Sequence, residues 1–411
     1  MDIPGRIGEQ HREAVLRLLR DGRPRTRAQL ARELGLARST ISEVLTCLID
    51  EGGVVPRRAS SPLPAGRGRP PEVLTLDPDA GHHIGLDFSH HHVVAVVVNA
   101  TREIIATDEA GYTLPDSWPQ RLRTAIALID ALAERSTVHF RSLQGVAVGL
   151  PGPNSIAWGA PGSTLSGVDT EFRRIGGAIA VELTDRFAVP TLVDHHVRFA
   201  ALAESAWGRA EPLDNLLYLR LSKGVGGAFL SAGTPARGAH SVAGELGHVV
   251  VDASANARPC RCGRRGCLET LASIDGVLET AAERGGHYAG LDELAAARGR
   301  GESPAETAVD TLVQHVGRVL GTAALVIDPA EIVLAGECTG LAPDFCERVS
   351  AVVADHTLPS GPHPHCRLSA LGPQAGAIGA ALAASRVHQI REPETSPASP
   401  HARREDSVHD R

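Results

Sequence analysis

The sequence predicts an α/β protein that carries a small helical domain at its N-terminus. From about residue 82, short apolar strands alternate with amphipathic helices, which is the pattern of α/β architecture. Residues 1 to 75 instead hold three short helices and a net charge of +4, whereas the rest of the chain has −11. Because 411 residues are more than a single hydrophobic core usually contains, we expect several domains. The net positive charge of residues 1 to 75 suggests that this domain contacts nucleic acid, unless the charge asymmetry is due to chance.

The composition is typical of a soluble globular protein, with 43% hydrophobic and 22% charged residues. No apolar run approaches the ~20 residues that a membrane-spanning helix needs, and the N-terminus lacks the basic and then apolar pattern of a signal peptide. We therefore expect a cytoplasmic protein. Lys223 is the only lysine, so mechanisms that need several lysines are excluded.

Three amphipathic segments precede residue 54: HREAVLRLLRDG, TRAQLARELG and ARSTISEVLTCLIDEGG. The second and third surround a turn that contains Gly35, and the short strand Val54–Arg58 follows them, an order typical of a winged helix-turn-helix. In this motif the third helix enters the major groove of double-stranded DNA with its first residues toward base edges. Those residues are Arg38, Ser39, Thr40 and Ser42. The alternative is a helical bundle with no role in DNA binding.

The segment after the predicted wing strand is cationic and rich in glycine and proline. Within GRGRP at 66–70, Arg67 and Arg69 are suited to insertion into a narrow, A·T-rich minor groove. The same composition suits a solvated linker between domains, and one segment can serve both purposes. The motif alone therefore favours DNA contact without requiring it.

Beyond residue 82 the predicted strands and helices continue to about residue 387. Strands are predicted in HHIGLDF, GVAVGLPGP, VPTLVD, NLLYLRLSKGVGGAFL and EIVLAG. Helices are predicted in RLRTAIALIDALAER, GGAIAVELTDRF, residues 304 to 326 and AGAIGAALAA. The last segment, REPETSPASPHARREDSVHDR, is polar and proline-rich, so we expect a disordered tail.

The seven cysteines fall into two groups. Cys260, Cys262 and Cys267 lie close together, and His248 precedes them, which makes a donor set suited to tetrahedral Zn²⁺. Their Cys-x-Cys spacing differs from common zinc fingers, so a disulfide and a redox switch stay open as alternatives. The other four are expected to be buried, unpaired thiols: Cys47, Cys338, Cys346 and Cys366.

Taken in order, these motifs resemble the ROK family of bacterial repressors, open reading frames and sugar kinases. The matching stretches are the winged helix-turn-helix, RGRP, IGLDF, GLPGP, AGELGHVVVD with CRCGRRGCLE, DPAEIVLAG and AGAIGAA. The resemblance implies a two-lobed fold of the actin-like, ribonuclease H-like type with a sugar cleft between the lobes, and it favours a structural zinc among the alternatives. The expected domains are a winged helix-turn-helix with its linker at 1–78, an N-terminal lobe at 79–190, a C-terminal lobe with the zinc loop at 191–387 and a disordered tail at 388–411.

The kinases of the family carry glycine-rich phosphate loops and a catalytic carboxylate, and this chain departs from both. The first loop, D-x-G-G-T in the family, reads DFSHH at 87–91, so side chains replace the glycines that let phosphate approach the backbone. The sugar-binding Asn and the catalytic Asp correspond to His195 and His196. A later Gly-Gly pair is reduced to GE at 336–337, although KGVGG at 223–227 keeps its glycines. The resemblance therefore implies a protein that is not an enzyme and has no catalytic residues.

Three residues match family positions that hold sugar hydroxyls: Glu245, His248 and Glu269. Carboxylates suit this task because they accept strong, directional hydrogen bonds, although both glutamates could instead orient the metal loop. His195 and His196 complete the predicted effector site, but two imidazoles cannot reproduce the acceptors of an Asn and a carboxylate. We therefore expect either an altered ligand, such as an anionic or phosphorylated sugar, or the loss of ligand binding.

These expectations combine into a ROK-type transcriptional regulator, a repressor of carbohydrate uptake or metabolism genes. It would bind a double-stranded DNA operator as a homodimer or homotetramer. A sugar or sugar-phosphate effector in the cleft would favour one lobe arrangement and so change the spacing of the DNA-binding domains. The alternatives are an active, ATP-dependent sugar kinase with an accessory DNA-binding domain and a ligand-independent DNA-binding regulator.

Overall fold

The structure of the chain is a computed structural model. It describes residues 6–19, 23–50, 53–58, 72–77, 81–113, 116–135, 143–152, 157–158, 170–208 and 212–386. Two predictions lie outside these residues, namely the minor-groove arginines Arg67 and Arg69 and the tail at 388–411. In the described ranges no helix has the length and apolar character needed to cross a membrane.

The N-terminal domain is a winged helix-turn-helix, as predicted. Its elements are α1 (Arg6–Leu19), α2 (Arg27–Leu34), α3 (Arg38–Asp50), β1 (Val54–Arg58) and β2 (Glu72–Leu76), with the two strands antiparallel. A capping box begins α2, in which Thr26 accepts a hydrogen bond from the amide of Gln29 and the Gln29 side chain accepts one from the amide of Thr26. The helix ends at Gly35, whose φ of 64° allows the turn toward α3. The faces predicted to be apolar are buried: Leu30, Ile41, Val44, Leu45 and Leu48.

The first lobe is built on a six-stranded sheet in the order β5-β4-β3-β6-β8-β7. Its elements are β3 (His82–Phe88), β4 (His92–Val98), β5 (Ile104–Gly111), α4 (Trp118–Arg135), β6 (Leu143–Leu150), β7 (Ala157–Trp158), α5 (Thr170–Phe187) and β8 (Thr191–His195). α4 and α5 pack against the sheet through Leu122, Ile129 and Leu183. Because β3, β6 and β8 are parallel, their carboxyl ends meet at one edge.

The second lobe holds a five-stranded sheet in the order β11-β10-β9-β12-β13. Its strands are β9 (Leu216–Leu221), β10 (Val225–Ser231), β11 (Thr234–Pro235), β12 (Glu331–Ala335) and β13 (His365–Leu368). Its α-helices are α7 (Glu269–Ala272), α8 (Ile274–Ala282), α9 (Leu291–Gly299), α10 (Ser303–Ile327) and α11 (Phe345–Asp355), and 3-10 helices form at Leu246–His248, Glu337–Leu341 and Gly372–Gln374. The core between sheet and helices includes Leu312, Val316 and Phe345. β9 and β10 are antiparallel, and the turn at 222–224 that joins them points toward the first lobe's carboxyl-end edge, where Gly226 of β10 meets His195.

Two buried helices join the lobes: α6 (His196–Ala206) and α12 (Ala375–Ala384). They cross at very short range because α12 consists almost entirely of alanine and glycine. A Cβ added to Gly379 would lie 1.7 Å from the carbonyl oxygen of Phe199 in α6. On its other side, α12 touches β3, since a Cβ added to Gly85 would lie 2.0 Å from the carbonyl oxygen of Ala377. Small residues therefore set the distance between the first sheet and α6.

The predicted lobe boundary at 190/191 falls one strand too early. β8 (Thr191–His195) pairs with β6 and so belongs to the sheet of the first lobe. α12 also packs on β3 and β6, although it lies within the range 191–387 that was assigned to the second lobe. The sequence pattern of an apolar strand or an Ala-Gly helix is compatible with packing on either sheet. The pattern therefore could not assign β8 and α12 to the correct lobe.

Adding one methyl group at the helix crossing should destabilise the protein. The Gly379→Ala variant forces backbone of α6 and α12 apart and should lower the free energy of unfolding by about 1–3 kcal/mol. The matched control is Gly177→Ala in α5, where an added Cβ meets nothing within 4 Å. The control should be neutral or gain up to about 1 kcal/mol from helix propensity. Urea unfolding of both variants measures the difference, and equal stability of the two would contradict the tight crossing.

Candidate metal centre and ligand cleft

The four predicted metal ligands come together in the second lobe. One donor atom each from His248, Cys260, Cys262 and Cys267 lie within 4.8 Å of one another. The Cys262 and Cys267 sulfurs are 3.6 Å apart, and the Cys260 sulfur is 3.6 Å from Nδ1 of His248. A disulfide needs sulfurs about 2.05 Å apart, whereas zinc–sulfur bonds of about 2.3 Å at tetrahedral angles separate sulfurs by about 3.8 Å. The side chains therefore fit a tetrahedral metal ion that Nδ1 of the imidazole completes.

The backbone holds the two halves of this donor set together. The 3-10 helix Leu246–His248 carries the imidazole, and an isolated bridge pairs Val250 with Cys267 at the far end of the loop. Gly266, with φ of 70°, is required where the chain returns, since a Cβ there would lie 1.8 Å from the carbonyl oxygen of Asp252. We call residues 248–267 the cysteine loop.

Before any metal ion binds, the surroundings already favour the neutral imidazole of His248 and the thiolate of Cys262. Burial lowers the pKa of His248; the negative charge of Glu269 opposes this shift, and the positive charges of Arg261 and Arg264 add to it, which favours the neutral imidazole that can ligate a metal. Burial alone would raise the pKa of Cys262, but hydrogen bonds from the Arg264 backbone and the neighbouring thiols lower it. Burial raises the pKa of Cys267 to about 12, so this thiol needs a bound cation to ionise at neutral pH.

The remaining cysteines are free thiols. Cys338 and Cys366 are buried, as predicted, but Cys47 and Cys346 are only half-buried. Cys47 lies on α3 and Cys346 on α11, and Cys346 packs at the margin of the second-lobe core rather than inside it. Apolar neighbours in sequence predicted burial for all four, but on a helix only one face enters the core.

Glu269, a predicted ligand for sugar hydroxyls, is bound to the cysteine loop. Its Oε1 lies 2.7 Å from Nε of Arg261, and its Oε2 accepts hydrogen bonds from Nη2 of Arg261 at 2.8 Å and from the amide of Val225 at 3.0 Å. Glu245 stands one turn before His248, whose amide donates to the Glu245 carbonyl at 3.1 Å. Burial raises the pKa of Glu245. Glu269 is therefore linked to the cysteine loop through Arg261, whereas the described hydrogen bonds of Glu245 include no such link.

The two predicted effector histidines differ in environment. His195 ends β8 and is buried, and this burial lowers its pKa well below the ordinary value, so it is neutral. His196 begins α6, with its ring centroid 5.2 Å from that of His195. Its Nδ1 lies 3.2 Å from Oδ1 of the buried Asp87, which stands near the end of β3. The carboxyl-end edge of the first sheet therefore presents an Asp87–His196 pair beside the buried His195.

The start of β10 lies between the histidines and Glu269. A Cβ added to Gly226 would lie 3.7 Å from Cε1 of His195, and one added to Gly224 would lie 3.1 Å from Oε2 of Glu269, so this segment borders both sets of residues. We call the space between them the cleft: it lies between the carboxyl ends of β3, β6 and β8 on one side and the β9–β10 turn with the cysteine loop on the other. The five predicted effector residues lie on the elements that bound it: His195 ends β8, His196 begins α6, Glu245 precedes the 3-10 helix that His248 ends, and Glu269 begins α7.

Sequence reasoning missed a buried arginine that ties the two walls together. Arg198 of α6 is almost completely buried, and its Nη1 donates to Oδ1 of Asp194 at 2.6 Å. Its Nη2 donates to the carbonyl oxygen of Ser241, in the segment that leads to Glu245. Arg237 of the same segment donates to Oδ2 of Asp194 at 3.1 Å. The visible signal was an arginine among apolar residues at the start of α6, four positions after Asp194 at the end of β8.

The first phosphate loop is closed by its own hydrogen bonds. The amide of Ser89 donates to the carbonyl oxygen of His92 at 2.9 Å, and the amides of His91 and His92 donate to the Ser89 hydroxyl at 3.4 and 3.3 Å. The Ser89 hydroxyl also lies 2.9 Å from Nδ1 of His92. Backbone amides that would bind a phosphate are therefore already engaged, in agreement with the loss of the family's glycines.

The predicted DNA-contacting residues lie at the N-terminal end of α3. Arg38, Ser39 and Ser42 are exposed, and Thr40 is half-buried. The opposite face of the helix packs into the domain core, so these polar side chains are directed away from it. This arrangement leaves the first turn of α3 free to enter a groove of DNA.

Both the N-terminal domain and the two-lobed part of the chain match known protein families. The model of the ROK family matches residues 83–387, and that of the IclR helix-turn-helix domain matches residues 14–58. The chain is 26% identical to the N-acetylglucosamine repressor of Escherichia coli O6:H1 over 340 residues, which is 79% of this chain and 80% of that protein. It is 27% identical to a glucokinase of Halalkalibacterium halodurans over 310 residues, 70% of this chain and 92% of that protein.

A solved structure of a ROK family transcriptional regulator, described as a homologue of the E. coli MLC protein, superimposes with a TM-score of 0.71. It covers 93% of this chain and 98% of its own, at 20% identity, so the likeness is one of fold. The ROK family model itself spans well over half of the sequence. The chain belongs to the ROK family.

Proposed function

We propose that this protein is a DNA-binding transcriptional regulator, a repressor of genes for carbohydrate uptake or metabolism that acts in the cytoplasm. The observation that carries the proposal is the combination, in one chain, of a winged helix-turn-helix with an exposed polar first turn on α3 and a ROK domain whose first phosphate loop is closed by its own hydrogen bonds. Similarity to an N-acetylglucosamine repressor supports the carbohydrate part. A sugar or sugar phosphate in the cleft would act as the effector by favouring one arrangement of the lobes.

The protein would bind its operator as a homodimer. Two-fold symmetry places two recognition helices about one helical turn apart, which suits a palindromic site, and a homotetramer would repeat this unit. An apolar face of the second lobe, where the end of α10 lies beside the start of the cysteine loop, supports such a contact. Its exposed side chains include Val249 at 42%, Val250 at 45% and Val326 at 81%. Apolar side chains clustered at a surface commonly mark an interface.

The metal of the cysteine cluster would be Zn²⁺ in a structural role. Three thiolates and one imidazole complete a tetrahedral site and leave no position for a catalytic water. When bound, the ion would supply a rigid crosslink between the 3-10 helix and the loop. Glu269 then holds Arg261 of that loop against Val225 in the wall of the cleft.

Removing one ligand should release the zinc. Cys262→Ser should lose the roughly one equivalent of zinc that the wild-type chain binds and should loosen the second lobe, because a neutral hydroxyl is a poor zinc ligand. The N-terminal domain should stay folded. Metal analysis and limited proteolysis measure both effects, and Cys346→Ser, outside the cluster, is the matched control. Retention of one equivalent by Cys262→Ser would count against the assignment.

Operator binding should depend on the first turn of α3. DNA recovered by selection from random sequence, together with genome-wide mapping, defines the operator and names the regulated genes. Arg38→Ala should weaken binding to that operator by about tenfold to a hundredfold, the usual cost of one base contact. Arg300→Ala removes the same charge from an exposed site in the second lobe and should leave affinity unchanged. Failure to select any sequence would contradict the proposed function.

A charged residue in the apolar face should dissociate the dimer into monomers. Val326→Asp should shift the sedimenting species to a monomer and weaken operator binding by roughly tenfold or more, because each half-site then binds alone. Leu358→Asp introduces the same charge at another exposed apolar residue, 66% exposed and outside this face, and should change neither property. A dimeric Val326→Asp variant would place the interface elsewhere.

The chain should have no sugar kinase activity. With ATP, Mg²⁺ and a panel of hexoses and pentoses, ADP formation should not exceed the rate without sugar, because the amides of the first phosphate loop are engaged within the loop. A coupled ADP assay measures this rate. Sugar-dependent turnover that disappears in His196→Ala would instead establish His196 as a catalytic base and revive the kinase alternative.

A further inference from the structure

The KGVGG segment at 223–227 keeps its glycines, although the first phosphate loop is closed and the proposed function needs no ATP. Neither Gly226 nor Gly227 has a positive φ, so backbone conformation does not require glycine at either position. What excludes a side chain at both positions is close packing on the two faces of β10. These glycines therefore have a use in the fold that does not involve phosphate.

Gly226 and Gly227 face opposite sides of the second sheet, because successive residues of a strand alternate. A Cβ added to Gly226 would lie 2.8 Å from Cγ2 of Val197 in α6. One added to Gly227 would lie 2.5 Å from the carbonyl oxygen of Gly244 and 3.1 Å from Cδ1 of Leu246. A strand without side chains at this point thus separates α6 from the 3-10 helix that begins at Leu246.

The apolar face proposed above as the dimer contact surrounds a groove of about 510 Å³, which we call the dimer groove. Leu217 and Phe229, which are paired between β9 and β10, form its floor, and the end of α10 forms one side. Ala228 and Leu230 pack with α6, whereas Phe229 packs on the opposite face of β10. We call the side opposite α10 the groove wall; its residues are Leu246, Val249, Val250 and Val251.

Hydrogen bonds also attach the groove wall to the first lobe. Arg198 of α6 donates to the carbonyl oxygen of Ser241, and Arg237 donates to Oδ2 of Asp194 at 3.1 Å. Asp194 belongs to β8 of the first sheet, and the chain continues from Ser241 directly into the groove wall at Leu246. The wall is therefore held to the first lobe in two ways, by packing through β10 and by this hydrogen-bonded cluster.

The packing leaves no space in which a movement could be absorbed. A Cβ added to Gly247 would lie 2.1 Å from the carbonyl oxygen of Val225, so the 3-10 helix lies directly on the backbone of β10. Protein interiors are close-packed and transmit strain. A shift of α6 against β10 must then displace the groove wall, and small shifts of this kind decide between two discrete packings of an interface.

We propose, building on the proposed function, that α6 controls the dimer groove through the side-chain-free pair Gly226–Gly227 of β10. A change in the arrangement of the lobes moves α6, β10 and the groove wall together, and so changes the fit of the second copy of the chain in the groove. The glycines kept in KGVGG transmit this movement from one face of the second sheet to the other.

A methyl group on the α6 side of β10 tests this transmission, because it adds no atom to the groove. Gly226→Ala should press β10 away from α6 and weaken dimerisation of the full-length, zinc-loaded chain by about tenfold or more, as the loss of a well-packed interface contact does. Combining it with Val197→Ala should restore most of the affinity, since the next contact of the added Cβ is Cε1 of His195 at 3.7 Å. Sedimentation equilibrium measures the dimer dissociation constants.

Gly286→Ala separates lost stability from lost transmission. An added Cβ at Gly286 would lie 2.6 Å from Cβ of Pro304, so this site is equally crowded. Pro304 is near the start of α10, roughly 20 Å along the helix from the groove residue Val319. Urea unfolding should show that Gly286→Ala is destabilised like Gly226→Ala, but its dimer dissociation constant should equal that of the wild type.

Hydrogen exchange of the amides at 246–251, measured in the Val326→Asp background, reports on the groove wall without a partner. Gly226→Ala should raise the exchange rates several-fold, and addition of Val197→Ala should reverse the rise. Arg237→Gln removes a side chain that is only partly buried and cuts the hydrogen-bonded attachment, so it should raise the same rates. This variant keeps the test decisive if Gly226→Ala does not fold.

Unchanged exchange at 246–251 in the folded Gly226→Ala variant, or in Arg237→Gln if the former does not fold, would overturn the proposal. So would raised exchange with an unchanged dimer dissociation constant, because the wall would then move without effect on the partner. A Val326→Asp variant that stays dimeric would refute the dimer face itself and with it the control of the dimer. The exchange rates would then still show whether α6 positions the groove wall.

Discussion

The close crossing of α6 and α12 is the constraint on which the cleft depends. Gly379 lets the backbone of α12 approach Phe199, so α6 is held against the first sheet while its other face packs on β9 and β10. The first turn of α6 carries His196, which is paired with Asp87 of the first sheet, and Arg198, which joins Asp194 of that sheet to Ser241 of the second lobe. The close contacts at Gly379 and Gly85 thus set the position of α6 on the first sheet, and a buried Asp–Arg cluster joins this helix to the second lobe.

The cysteine loop extends this arrangement to the second wall. Metal ligation would fix His248, and the Arg261–Glu269 pair connects the loop to the β9–β10 turn. The amides of the first phosphate loop are engaged within the loop, and His196 is paired with Asp87 at the edge of the first sheet. These two contacts, together with the winged helix-turn-helix, are the basis of the proposal that the cleft binds a ligand and does not transfer phosphate.

Periodicity was enough to predict most of the elements, and the family resemblance was enough to predict that His248, Cys260, Cys262 and Cys267 cluster. The lobe to which β8 and α12 belong could not be predicted, since apolar strands and Ala-Gly helices carry no information about their partner sheet. The pairing of Glu269 with Arg261 and of His196 with Asp87 also escaped prediction, because both depend on contacts between distant segments. An arginine among the apolar residues of α6 is unusual and could have been noticed in the sequence. Its contact with the carbonyl oxygen of Ser241 could not be predicted, because that residue is 43 positions away.

We expect the cleft to control DNA affinity, and titration of the operator tests this control most directly. Fluorescence anisotropy of the selected operator, at one fixed salt concentration, is measured with and without saturating sugars, sugar phosphates and sugar acids. Coupling between sites of 1–3 kcal/mol predicts that the effector changes operator affinity by about fivefold or more. Unchanged affinity across the whole panel would contradict ligand control and leave a DNA-binding protein whose cleft does not regulate it.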